Sequence, residues 1–385
     1  MNNERAPLKI LVITHEYPPI GGGGGQVVRD LCEGIASEQY TFHILTAHFK
    51  NLRELEQQPN LTIERLKSRR TEAYRAGLLP MACFVWKSFW RALKIIRRWK
   101  PDLIHAHFAV PGGAAAALAG IITGTPYIFT AHGGDIPGGT PEKTGTWFRF
   151  ILPFTRFIWK RAAARIAVSE ASKQLALVQY PVKIYVIPNG IRTEEYRPDA
   201  VTAGDVPHIM YIGRFSPEKN AVLVPHILAR IKEIPWRCTM LGDGLQMDEI
   251  QGLIEDFGIS KRVSLPGWVS PEQVKEYLQT IDILLMPSFR EGMPVSGLQA
   301  LASGAALVMT DIGACGDMVD EGQNGFLVNA GDEVGYAKAL TALLGSREKL
   351  ISHKKHSLIK AADFDFDSIF QSYRDLYHRV SKRSN

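Results

Sequence analysis

Arg214 and Lys219 stand five residues apart in the stretch Gly213-Arg214-Phe215-Ser216-Pro217-Glu218-Lys219-Asn220. A guanidinium can bind phosphate oxygens through two N–H groups, and a lysine nearby adds a mobile point charge. Together they suit a departing diphosphate, whose charge grows as its bond breaks. Taken singly, either could equally serve an exposed ion pair. A second stretch, Glu291-Gly292-Met293-Pro294-Val295, is followed by Gln299 eight residues after the glutamate. Pro294 fits the first turn of a helix, which sets Glu291 just ahead of a helix N-terminus. There a carboxylate can accept bonds from sugar hydroxyls while the amides of Met293 and Val295 face phosphate. Helix capping is the alternative for Glu291. Gln299 falls two turns on, on roughly the same face.

A third stretch, His15-Glu16-Tyr17-Pro18-Pro19-Ile20, runs into the glycines Gly21 to Gly25. Glycine lets backbone approach a phosphate, and a following helix offers free N–H groups. Dinucleotide binding would need an acidic residue about twenty positions on, at the end of the second strand. That strand ends Leu45-Thr46-Ala47-His48, with no carboxylate before Glu54, so a dinucleotide site is disfavoured.

These residues need strands to hold them. β-branched runs alternate with amphipathic helical patterns almost from end to end, the pattern of βαβ units in parallel sheets. Strands are expected at Lys9–Thr14, Thr41–Thr46, Leu103–Ala106, Tyr127–Thr130, Arg165–Val168 and Ile184–Ile187, with a first helix from Gln26 to Ala36. After a polar stretch to Pro207 the pattern restarts at His208–Ile212, Cys238–Leu241, Val263–Leu265, Ile283–Met286, Ala306–Thr310 and Phe326–Val328. The fold class is therefore α/β, with two doubly wound, Rossmann-like domains and a cleft between them. The expected division is 1–190 and 191–365, with a final helix at 366–385 packing back on the first domain. In such sheets ligands bind beyond the carboxyl ends of strands, where all three stretches lie. The acids Asp363, Asp365 and Asp367 read as helix-entry residues.

The chain has 385 residues, 45% hydrophobic and 22% charged, which fits two globular cores. Cys32, Cys83, Cys238 and Cys315 are scattered and form no CxxC pair, which suits a reducing cytoplasm. The strand-like run Lys9–Thr14 begins too soon to leave room for a signal peptide's apolar region, and the longest nearly apolar stretch, Ala109–Ile122, falls short of a membrane span. The net charge is +6, and between Arg65 and Lys100 eleven Lys/Arg residues face the single acid Glu72. Such a run is either a solvated face or a surface for an anionic partner. Within it, Phe84–Trp99 reads as a helix with Val85, Phe89, Ala92 and Ile96 on one stripe and Lys87, Arg91, Lys94 and Arg98 opposite. Trp86 and Trp90 lie between the stripes. An anionic membrane surface is one partner this helix would suit, and core packing with a solvated face is the other reading. The run Trp147–Arg161 is a second aromatic, basic candidate. Basic charge alone is too little to expect nucleic-acid binding.

Taken in order, Tyr17-Pro18-Pro19 with its glycines, His132-Gly133-Gly134-Asp135, Val186-Ile187-Pro188-Asn189-Gly190, Gly213-Arg214 with Lys219, and Glu291-Gly292-Met293-Pro294 span nearly the whole chain. In these motifs the sequence resembles the family 4 retaining glycosyltransferases of the GT-B fold, also called group 1. The resemblance implies transfer of a hexose-type sugar from a nucleotide diphosphate donor to an acceptor hydroxyl, the acceptor being of the lipid-linked or cell-envelope glycan kind. It assigns Arg214 and Lys219 to the diphosphate and Glu291 to the sugar hydroxyls. Gly213, Gly292, Met293, Pro294 and Val295 would bind phosphate and sugar, His132 the sugar, and Gly22, Gly23 and Gly24 would close over the donor. Val269, after Gly267-Trp268, would help hold the base by backbone groups. Asp135 and Asn189 are candidate sugar or acceptor contacts.

Two positions depart from the family pattern. Gln299 stands where a glutamate usually accepts ribose hydroxyls, and Arg192 where an acid commonly follows Asn-Gly-Ile. No DxD-type metal site stands at a strand end, so no metal and no cofactor are expected, with cations and helix N-termini neutralising the leaving group. A cytoplasmic enzyme peripheral to the inner face of the cell membrane is the expected setting. A nucleotide-sugar epimerase or hydrolase, or a noncatalytic binder of sugar nucleotide or membrane, would share the architecture.

Overall fold

The computed structural model describes residues 6–72, 76–138 and 152–381. By internal contacts the chain divides into unit 1, Met1–Asn189 with Asp367–Asn385, and unit 2, Gly190–Phe366.

Unit 1 is built on eight strands: β1 (Leu8–Ile13), β2 (Tyr40–Ala47), β3 (Leu55–Gln58), β4 (Leu61–Leu66), β5 (Leu103–His107), β6 (Tyr127–Ala131), β7 (Ala164–Ala167) and β8 (Tyr185–Val186). Their order is β3-β4-β2-β1-β5-β6-β7-β8, parallel except for the antiparallel β3–β4 pair. Ile10–Ile13, Leu103–His107 and Tyr127–Ala131 are buried on both faces, as strands covered by helices on each side must be. The covering helices include α1 (Gly23–Ile35), α2 (Leu78–Trp99), α3 (Gly113–Thr123), a helical segment α4 at 152–161 and α5 (Glu170–Leu177).

The β3–β4 hairpin was not legible in the sequence. β3 is mostly exposed and carries Glu56, Gln57 and Gln58, so it has no apolar run to announce it. The first helix begins three residues earlier than its apolar pattern, because Gly23 to Gly25 already form its first turn. The basic run from Arg65 is not one surface. Arg65 and Arg70 are buried, and Arg91 bonds Glu64 at 2.5 Å. Of the run Trp147–Arg161, the first residues lie outside the described ones, and in α4 Ile158 and Trp159 are fully buried while Phe154 and Phe157 are exposed.

Unit 2 repeats the plan with β9 (His208–Ile212), β10 (Arg237–Leu241), β11 (Val263–Gly267), β12 (Ile283–Met286), β13 (Ala306–Thr310) and β14 (Gly325–Val328). All are parallel, in the order β11-β10-β9-β12-β13-β14. Its helices are α6 (Thr193–Tyr196), α7 (Leu223–Arg230), α8 (Met247–Asp256), α9 (Pro271–Leu278), α10 (Val295–Ala302), α11 (Cys315–Met318), α12 (Glu333–Leu344) and α13 (Arg347–Ala361). Gly242 has φ of +149°, and a Cβ there would collide with the carbonyl of Gly213, so glycine allows the turns after β9 and β10 to lie together.

The chain enters and leaves unit 2 along neighbouring segments: Ile191 N–H donates to Phe364 O at 2.9 Å, and Phe366 N–H to Ile191 O at 3.2 Å. The acids there do not all cap the last helix. Asp365 accepts from the Thr193 hydroxyl at 2.5 Å and Asp363 pairs with Lys360 at 3.3 Å, leaving Asp367 in the first turn of α14 (Phe366–Val380). Within unit 1, α14 lays Phe370 against Gly34 and buries Tyr373 and Tyr377. All four cysteines are free, three of them buried. No helix among the described residues is long and apolar enough to cross a membrane.

Candidate functional site

In each sheet the strand order reverses beside the first strand, between β1 and β5 in unit 1 and between β9 and β12 in unit 2. The loops leaving such a pair diverge to opposite faces, and the gap between them is where open α/β sheets take ligands.

In unit 2 that gap receives Arg214–Lys219 from β9 and Pro287–Glu291 from β12. The loops are tied together: Phe289 N–H donates to Glu218 O at 3.0 Å and the Asn220 side-chain amide to Pro287 O at 3.1 Å. Between them Lys219 Nζ lies 2.7 Å from both carboxylate oxygens of Glu291, and the Ser288 hydroxyl donates to Glu291 Oε1 at 2.8 Å. The Glu291 side chain is only 6% exposed, so its charge is held by these partners in low-dielectric surroundings. Arg214 lies 3.4 Å from Glu218, and its carbonyl accepts from the buried Tyr211 hydroxyl at 2.9 Å, which fixes the turn. Met293, Pro294 and Val295 lead into α10, whose N-terminus no side chain caps. A bare helix N-terminus beside two cations is a setting for an anion.

Gln299 sits on α10 and donates from Nε2 to the Tyr196 hydroxyl of α6 at 3.1 Å. One end of the amide is thereby fixed. Arg192 pairs with Glu195 at 3.4 Å and lies over the Phe366 ring. Val269 follows Gly267, which turns the end of β11 with φ of +81°, and the exposed Trp268.

In unit 1 the glycine stretch is held from below. Glu16 accepts from Gly22 N–H at 3.2 Å, Arg70 donates to His15 O at 3.0 Å, and Arg65 to Pro18 O at 3.2 Å. Two buried cations from the basic run therefore shape this loop. Gly22 and Gly23 are exposed, and a side chain at Gly24 would meet the Phe108 ring. Phe108 leaves β5 and also packs on His132, with ring centroids 4.6 Å apart. It joins the glycine stretch to the residue after β6.

His132 is half-buried, and its Nε2 lies 3.1 Å from Nδ1 of His107. Asp135 accepts from His132 N–H at 2.9 Å and from Ala109 N–H at 2.6 Å, so its carboxylate first of all holds these two loops together. Burial pushes its pKa up to about 6 against those amides. Behind His107 lies His105, whose ring nitrogens meet the Tyr377 hydroxyl at 2.8 Å and the Thr130 hydroxyl at 2.9 Å. Burial lowers His105 to about 3 and His132 to about 4, and holds His107 well below its usual value. All three rings are neutral at physiological pH. Asn189 is buried at the last position of this stretch of unit 1.

Glu16, Tyr196, Glu218, Ser288 and His107 were not picked out from the sequence. His107 alone had a local signal: His105 and His107 are two apart on one strand and so share a side of the sheet. Among the described residues no group of three or more His, Cys, Asp or Glu is placed to hold a metal ion.

Residues 21–195 match the family described as Glycosyltransferase Family 4, and residues 206–346 the family described as Glycosyl transferases group 1. The chain is 25% identical over 334 residues to the UDP-Gal:alpha-D-GlcNAc-diphosphoundecaprenol alpha-1,3-galactosyltransferase of Escherichia coli, covering 80% of this chain and 84% of that one. Its fold is similar to that of the sucrose-phosphate synthase from Thermosynechococcus elongatus, with a TM-score of 0.81 at 18% identity over 97% and 99% of the two chains. Anabaena Alr3699/HepE, solved in complex with UDP and glucose, gives a TM-score of 0.78 at 19% identity over 97% and 100%. These structures share the GT-B fold, two parallel-sheet α/β domains.

Proposed function

Because the chain belongs to the group 1, family 4 glycosyltransferases, we propose that it moves a hexose from a nucleotide diphosphate donor to an acceptor hydroxyl with retained anomeric configuration. The observation that carries this reading is the meeting of Lys219, Ser288 and Glu291 where the order of the second sheet reverses, with Arg214 on the same loop as Lys219. Arg214, Lys219 and the α10 N-terminus take the diphosphate, and Glu291 takes hydroxyls of the sugar. Gln299 uses its amide oxygen for the ribose, and His132 bonds a hydroxyl of the transferred sugar. Positive charge from these groups offsets the charge that develops on the leaving diphosphate, so the scheme requires no metal.

Retention here needs no enzyme nucleophile. Glu291 is engaged by Lys219 and Ser288, and no second carboxylate is assigned to the pair that retaining glycosidases use. The bond from the anomeric carbon to the β-phosphate oxygen breaks, the acceptor oxygen bonds the same face, and its proton passes to the departing phosphate.

The Escherichia coli relative is named for UDP-Gal and a diphosphoundecaprenol acceptor, and the Anabaena neighbour was solved with UDP and glucose. UDP-hexoses therefore head the donors, and lipid-linked glycans the acceptors. Trp86 and Trp90 are 63% and 48% exposed on α2, beside exposed Lys87, Lys94, Arg97 and Arg98. Two exposed indoles beside basic groups support peripheral contact with an anionic bilayer, at its cytoplasmic face.

The test is release of nucleoside diphosphate from a panel of nucleotide sugars, with and without lipid-linked acceptors, and NMR of the product anomer. Acceptor-dependent transfer with the donor's configuration is expected. Equal turnover without acceptor would make the protein a hydrolase or epimerase, and an inverted product would remove the retaining mechanism.

A further inference from the structure

His132 Nε2 and His107 Nδ1 share one hydrogen bond of 3.1 Å, their rings close to parallel at 27°. Two neutral imidazoles can make that bond in two ways. Either His107 donates from Nδ1–H and His132 keeps its proton on Nδ1, or His132 donates from Nε2–H and is left with a bare Nδ1. Which arrangement holds decides whether His132 offers a ligand a donor or an acceptor.

The far side of His107 distinguishes them. Its Nε2 is buried and has no hydrogen-bond partner among the described residues. In the first arrangement that atom is a lone pair; in the second it is an N–H with nothing to bond. Orphaned buried N–H groups are rarer in native structures than under-satisfied acceptors. His105, 4.2 Å away by ring centroids, offers no acceptor in exchange, because its two nitrogens already meet Tyr377 and Thr130.

We propose that His107 is a positioning residue that donates its Nδ1–H to His132, fixing His132 as the neutral tautomer whose Nδ1–H is offered to an oxygen ligand. The class of ligand, a hydroxyl of the transferred sugar, rests on the reading of His132 given above; the tautomer does not. His132 Nδ1 has no partner among the described residues, and the bond from its own backbone N–H to Asp135 keeps the residue in place. Burial keeps both rings uncharged near neutral pH, so each carries a single ring proton and only one of the two lies in the bond between them.

The experiment is long-range proton–nitrogen NMR at pH 7 on the full chain labelled with nitrogen-15 histidine, with His132 assigned by the loss of its signals in His132→Gln. A protonated Nδ1 and bare Nε2 on His132 are expected. In folded His107→Leu the ring should lose this preference and kcat/KM for the donor should fall roughly five- to tenfold, the worth of one neutral hydrogen bond. His107→Asn, whose amide N–H can stand in for Nδ1–H, should restore both. A protonated Nε2 on His132 in the unaltered protein, or an unchanged tautomer in His107→Leu, overturns the proposal. A shifted tautomer with unchanged turnover would instead overturn the role given to His132 on the sugar.

Discussion

Lys219 and Glu291 are bonded through both carboxylate oxygens at 2.7 Å, although 72 residues separate them in the chain. The pair links the loop proposed to take the phosphates to the loop proposed to take the sugar. Lys219→Ala should therefore do two things: remove a cation from the leaving group and release the Glu291 carboxylate. A fall in kcat of about a hundredfold or more is expected, the usual cost of losing one preorganised electrostatic contact. Arg214→Ala should slow transfer by a similar order and leave Glu291 paired. Wild-type rates in both folded variants would remove these cations from the mechanism.

Gln299 gives a finer test. One N–H of its Nε2 goes to the Tyr196 hydroxyl, which orients the amide oxygen proposed to accept from ribose. Gln299→Glu makes that acceptor charged, and charge-assisted bonds are roughly twice as strong as neutral ones. Tyr196 can reverse its role and donate to the new carboxylate. Calorimetry should show donor affinity level or raised in Gln299→Glu and lowered in Gln299→Ala. Unchanged affinity in the alanine variant would make Gln299 structural.

The buried histidines set the acid limit of stability. His105 and His132 have folded values of about 3 and about 4 against 6.5 when free, both lowered by burial. Their contribution is full above pH 6.5 and is lost as pH falls toward those values, because the unfolded chain takes up protons first. Asp135, raised to about 6 from 3.8, acts in the opposite sense: its contribution is full below 3.8 and is lost as pH rises to 6. The histidines outnumber it, and each unit of displacement corresponds to about 1.4 kcal/mol. Urea denaturation should show stability dropping from pH 6.5 to 4.5, with a shallower slope in His105→Asn. A flat profile over that range would contradict the buried neutral cluster.

On α2, Trp86→Ala with Trp90→Ala should lower co-sedimentation with phosphatidylglycerol vesicles, and Lys94→Glu with Arg98→Glu should lower it further at low salt. Each basic group near an anionic surface contributes about 1 kcal/mol. Neutral phosphatidylcholine vesicles should bind weakly throughout. If the unaltered protein fails to sediment with anionic vesicles, the membrane reading is wrong.

Gly34→Ala probes the hold of the last helix. A methyl group there would run into the ring of Phe370. Overpacking of this kind costs typically about 1–3 kcal/mol. The melting temperature should fall, and the same change should cost less in a Phe370→Ala background than in the unaltered chain, because the ring it strikes is gone. An unaltered melting temperature in the single variant would show that α14 yields freely.

The cation and carboxylate motifs were legible because strand, turn and helix signals surround each of them within about ten residues. Gly213-Arg214 follows an apolar strand, and Glu291 precedes a proline that starts a helix. Much of what supports those motifs was not legible, because those partners come from far along the chain. Arg70 reaches His15 across 55 positions, Tyr196 reaches Gln299 across 103, and Tyr377 reaches His105 across 272. No local pattern distinguishes a buried arginine that holds a carbonyl from its solvated neighbours. The basic run therefore read as one surface when it contains two different populations.

The division of the chain bears on its biosynthesis. Unit 2 is continuous from Gly190 to Phe366, while unit 1 is completed by α14, which is made after all of unit 2. Domains tend to fold as they emerge from the ribosome. Here the unit begun first finishes second: until Tyr373 and Tyr377 arrive, the bonded pair of His105 and Thr130 lacks its two tyrosine hydroxyls, and the face of the first sheet that α14 covers stays bare. A nascent chain halted within unit 2 would thus hold its earlier half open, as a target for chaperones or proteases during translation.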